Sequence, residues 1–123
     1  MSEDGLRMSG VAVAFLLVFG TGFYLAHLGR PYSVALLTVH KLVATGILVF
    51  LGVIAYRASA LSVSTWLSVS LTILAFVVMI ASGGVLSAVE SPPTMISSVH
   101  TVVSYATVLL TIATFYVLLW KNA

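Results

Sequence analysis

His40 and His100 each lie seven to nine residues inside a long apolar segment that opens on proline. The segments read Pro31-Tyr32-Ser33-Val34-Ala35-Leu36-Leu37-Thr38-Val39-His40 and Pro92-Pro93-Thr94-Met95-Ile96-Ser97-Ser98-Val99-His100. A histidine inside a membrane-spanning stretch is costly and therefore a functional candidate by default. At the 1.5 Å rise of a helix, both sit roughly 10–14 Å in from their prolines. Two imidazoles at one depth, on helices that start from the same side, suit a shared object between them. The chemistry expected of such a pair is iron ligation, two axial nitrogens for one haem b with no position left for oxygen, and structural hydrogen bonding is the plainer alternative.

A porphyrin between helices needs close backbone approach, which glycine allows because it lacks a Cβ. Gly22 on the first helix and Gly83 and Gly84 on the third fall near the histidine level, as does Gly20. Ser104, Thr107 and Thr111 share the face of His100 at helical spacing, where they would line a cavity or pack helices. Small residues of this kind also serve plain helix packing, and that reading stands beside the functional one. Arg30 and Lys41 are the natural partners for haem propionates at the membrane surface. Each ligating imidazole should donate its other N–H to an acceptor, expected to be a carbonyl one turn earlier. His27 stands at a helix end and reads as an interfacial cap. Trp66 and Trp120 read as interfacial anchors.

The elements that hold these residues follow from composition. Of 123 residues, 61% are hydrophobic and 7% charged, and the mean hydropathy is +1.21, too little polar surface for a soluble domain. About twenty apolar residues cross a bilayer core of about 30 Å as a helix. Four stretches qualify: Met8–His27, Ser33–Tyr56, Thr65–Ala88 and Met95–Trp120. The first is too long, and too weakly preceded by basic residues, for a cleaved signal peptide. The expected fold class is all-α, an integral membrane four-helix up-down-up-down bundle forming a single domain over 1–123. The connections Gly29–Tyr32, Arg57–Ser64 and Val89–Thr94 are short, so successive helices are antiparallel. Only Met1–Gly5 is expected to be loose.

Charge bounds the rest. A net charge of +2 gives no reason to expect a nucleic-acid partner. Arg7, Arg57 and Lys121 fall on one side of the membrane, and Arg30, Lys41 and Glu90 on the other. That bias favours cytoplasmic termini in a cell membrane and an external histidine side. There is no cysteine, which excludes thiol chemistry, cysteine-bound clusters and covalent c-type haem. The carboxylates Glu3, Asp4 and Glu90 all lie outside the spans, which argues against a di-iron site or an embedded proton relay.

A faint repeat runs at an offset of about sixty residues. Gly22 precedes His40 by eighteen residues and Gly83 precedes His100 by seventeen, with a helix end and a proline between each pair. Two hairpins so related imply a pseudo-two-fold axis along the membrane normal.

Four short spans with histidines in the second and fourth, Arg30-Pro31-Tyr32 with Val39-His40-Lys41-Leu42, and Ser82-Gly83-Gly84 with Pro92-Pro93 and His100 resemble the small membrane b-type cytochromes. That group includes the transmembrane ascorbate-reducible cytochromes and bacterial superoxide oxidase. The resemblance implies a membrane cytochrome passing single electrons, with quinol, superoxide or a redox protein as partner. Those relatives commonly carry two histidine pairs, whereas this chain has one. A second resemblance is to one half of haem A synthase, whose glutamate one turn before the first histidine is replaced here by Leu36-Leu37. Two further readings stay open: a haem-free membrane anchor or assembly subunit, and a haem-modifying enzyme. A homodimer is compatible with so small a bundle, although no strong dimer motif is present.

Overall fold

The computed structural model describes residues 2–58 and 60–121. All regular structure among them is helical: α1 (Glu3–Leu28), α2 (Val34–Arg57), α3 (Val63–Ala88) and α4 (Thr94–Tyr116), the last continued by a π-helical turn over Val117–Lys121. Each helix is long and apolar enough to cross a membrane, with mean hydropathies of 2.0, 2.1, 2.4 and 2.1 over their best windows. The all-α class and the four spans of the sequence reading are therefore present, and they fit an integral membrane protein. The chain divides into two compact units, Met1–Tyr56 and Arg57–Ala123, each holding one helical hairpin. Ser59, within the central connection, lies outside the described residues.

The amino terminus departs from expectation. Instead of a loose Met1–Gly5, the helix begins at Glu3 because Ser2 caps it, its hydroxyl accepting from the Gly5 amide at 3.0 Å. Glu3 and Asp4 then sit at the positive end of the helix dipole, and Arg7 one turn later pairs with both. At the far end, Gly29 adopts φ +70°, a value that favours glycine, and its N–H closes α1 on the Leu25 carbonyl.

The second hairpin is held by hydroxyls. Ser68, Thr72 and Thr114 meet between α3 and α4, with Thr114 Oγ1 2.6 Å from Ser68 Oγ and 2.8 Å from Thr72 Oγ1. Thr72 also donates to the Ser68 carbonyl at 2.8 Å. Thr65, Thr72, Thr111 and Thr114 are buried, while Leu16, Leu42, Leu67 and Leu109 are at least 60% exposed. Hydroxyls buried beside Phe115, Leu118 and Leu119, with other leucines left outside, suit lipid surroundings, since hydrocarbon tails give leucine no reason to hide. Trp66 and Trp120 lie at the start of α3 and the end of this hairpin, both exposed, as membrane-interface residues do.

Candidate functional site

Both histidines occupy the seventh position of their helices, counted from Val34 in α2 and from Thr94 in α4. The reason is the same in each hairpin. A proline-bearing connection cannot continue the preceding helix, so the new one starts two residues after Ser33's neighbour Tyr32 and directly after Pro93. Each imidazole is half-buried and leans on the helix that came before it.

In the first hairpin, His40 Nδ1 donates to the Val18 carbonyl at 2.9 Å and lies 3.0 Å from Thr21 Oγ1. The Thr21 hydroxyl proton is directed at its own helix, with the Leu17 carbonyl at 2.7 Å and the Val18 carbonyl at 3.1 Å. Gly22 lies under the ring: a Cβ added there would stand 3.0 Å from His40 Cε1. In the second hairpin, His100 Nδ1 lies 2.8 Å from Ser82 Oγ, and Ser82 donates to the Met79 carbonyl at 3.2 Å. Gly83 lies under that ring, where an added Cβ would stand 3.1 Å from His100 Cε1. The faint sequence repeat thus coincides with a repeated contact, hydroxyl–glycine on one helix and histidine on the next.

The acceptors differ from the expected carbonyl one turn earlier on the histidine's own helix. They come from the preceding helix, because the bare glycine lets the ring settle against that backbone. Thr21 and the Val18 carbonyl were not among the residues singled out from sequence, and Ser82 stood only within the fragment Ser82-Gly83-Gly84, with no role assigned to it. Thr21-Gly22 and Ser82-Gly83 do repeat as hydroxyl–glycine pairs, and that was the available signal.

The remaining candidates fall as follows. Gly84 and Gly20 have no atom within 4 Å of where a Cβ would be. Arg30 lies in the α1–α2 connection with its guanidinium 4.9 Å from the Tyr32 ring centroid, and Lys41 is exposed beside His40. His27 is exposed in the last turn of α1. Thr107 and Thr111 are buried and donate to the Val103 and Thr107 carbonyls, each at 2.7 Å, and Ser104 donates to the Thr101 carbonyl. Those three hydroxyls are satisfied within α4. Further along the first hairpin, an apolar groove of about 400 Å³ opens between Val11, Ala14, Val43 and Ile47, left free by Gly10 and Gly46.

Among the described residues, no three or more His, Cys, Asp or Glu side chains gather where they could hold a metal ion. The half-buried imidazoles are His40 in the first hairpin and His100 in the second, while His27 is exposed. No protein-family model, curated protein or solved structure matches this chain.

Proposed function

We propose that the protein is a membrane b-type cytochrome in which His40 and His100 bind one haem b and single electrons pass near the external face. The observation that carries this reading is the paired construction: two half-buried imidazoles at the same helical position, each seated on glycine and hydrogen-bonded at Nδ1. One half-buried imidazole per hairpin is the wrong donor set for a protein-only metal cage. It suits an iron whose other four bonds come from a porphyrin. When bound, the haem supplies the one-electron redox chemistry. The chain's own residues bind and orient: His40 and His100 ligate, Thr21, Val18 and Ser82 hold the rings, and Arg30 and Lys41 offer positive charge to the propionates. Gly84 and Gly20 leave backbone open to a flat ligand. The basic residues Arg7, Arg57 and Lys121 favour cytoplasmic termini and an external histidine side. Quinol, superoxide or a docked redox protein would exchange the electron.

One observation favours a second reading. The Nδ1 hydrogen bonds already tie each histidine to its neighbouring helix, which is all a haem-free anchor or assembly subunit would ask of them. Substitution separates the two readings. In a cytochrome, His40→Ala and His100→Ala each abolish the low-spin haem spectrum of the purified protein. Normal spectra in both variants, or a colourless wild type after growth with ample haem, would remove the cytochrome reading.

A further inference from the structure

The hydroxyl and carbonyl groups around the two rings have definite hydrogen-bonding roles. A carbonyl only accepts, so the 2.9 Å contact to Val18 puts the proton of neutral His40 on Nδ1. For His100 the argument runs through Ser82. The Met79 carbonyl, 3.2 Å away, can take the single hydroxyl proton, which leaves the oxygen a lone pair for the His100 Nδ1–H at 2.8 Å. Ser82 is buried, at 6% exposed. The glycines make both contacts feasible, since any side chain at Gly22 or Gly83 would lift the ring from the helix that carries its acceptor.

We propose that the pairs Thr21–Gly22 and Ser82–Gly83 are positioning elements that hold His40 and His100 as Nδ1–H tautomers, so that Nε2 of each carries the ligand lone pair. The tautomer follows from the hydrogen bonds alone, and its use for iron rests on the cytochrome reading. A histidine presents one nitrogen to a metal only if the other holds the proton, and the partner of that other nitrogen decides which is which. Two hairpins reach the same tautomer with different acceptors. The shared feature is the hydroxyl–glycine pair, which makes it the working unit of the repeat.

The test needs no haem. The full chain, labelled with ¹⁵N-histidine and reconstituted haem-free in lipid nanodiscs, is studied by NMR at about pH 9, where free imidazole is neutral. The exposed His27 provides an internal reference for a ring without this scaffold. In the wild type, His40 and His100 should show a protonated Nδ1 and an unprotonated Nε2. Ser82→Ala should lower the Nδ1–H to Nε2–H ratio of His100 about five-fold, the equivalent of about 1 kcal/mol for one net hydrogen bond, and leave His40 unchanged. Ser82→Thr, which copies the first hairpin's hydroxyl, should restore the ratio. A wild type with Nε2–H at either histidine overturns the proposal, and so does an unchanged His100 ratio in Ser82→Ala. The wild-type spectrum decides the matter even if a variant fails to fold. Since haem is absent throughout, correct tautomers in a protein that never binds haem would sink the cytochrome reading and leave this one standing.

Discussion

Replacing Gly83 by alanine adds one methyl group directly beneath His100. Its Cβ would lie 3.1 Å from Cε1, 3.7 Å from Nδ1 and 3.9 Å from Nε2. Carbon atoms rest comfortably at about 3.5–4.0 Å, so the ring must retreat by about 0.4 Å or more. The retreat is away from α3, which also carries Ser82, so the 2.8 Å contact to His100 Nδ1 lengthens to about 3.2 Å, the limit of good hydrogen-bond geometry. Most of the net value of that bond, about 0.5–1.5 kcal/mol, is then lost. Ligand atoms need placement to about 0.5 Å, and Nε2 moves by nearly that much. Haem affinity should fall about 3- to 10-fold, read by spectrophotometric titration of the haem-free protein. Gly22→Ala, with its Cβ 3.0 Å from His40 Cε1, should act alike. Gly52→Ala, on α2 with nothing within 4 Å, is the control and should bind haem like wild type. Equal affinities in all three variants would refute the seat-and-ring argument.

Other outcomes follow from the same structure. Ser82→Ala in haem-loaded protein should raise the midpoint potential, because a ligand that loses its Nδ1 acceptor is less basic and stabilises ferric iron less; redox titration reads it. Thr114→Val should destabilise the second hairpin by about 0.6–1.7 kcal/mol against SDS unfolding, and a double-mutant cycle with Thr72→Val should reveal coupling through their 2.8 Å contact. Ser2→Ala should fray the first turn of α1, at a cost of about 0.5–2 kcal/mol, seen as faster amide exchange at Gly5 and Leu6. Arg30→Gln and Lys41→Gln should each lower the midpoint potential, since removing nearby positive charge favours the oxidised site.

The helices were legible in the sequence because hydropathy in twenty-residue runs leaves few alternatives, and Gly29-Arg30-Pro31 and Pro92-Pro93 mark where two of them break. The span limits moved by a few residues where local chemistry outweighed hydropathy. Ser2, Glu3 and Asp4 start a helix that apolar content alone would begin at Met8, and the chain after Tyr116 widens into a π-helical turn. His40 and His100 stood out because imidazole is rare in apolar segments. Their acceptors did not. The Val18 group is a backbone carbonyl, which any residue type supplies, so only the register of α1 against α2 singles it out. Thr21 and Ser82 were hidden by the ordinariness of hydroxyls in membrane helices, and became informative through the glycine that follows each. Gly22 and Gly83 were read as openings for a flat ligand, and the group that each admits in this structure is the histidine ring itself.

The central claim is tested most directly by the visible absorption spectrum of the purified protein, oxidised and then reduced with dithionite. The account predicts sharp α and β bands on reduction, unmoved by carbon monoxide, as for an iron held by both His40 and His100. A spectrum that stays featureless after reconstitution with haem would contradict it.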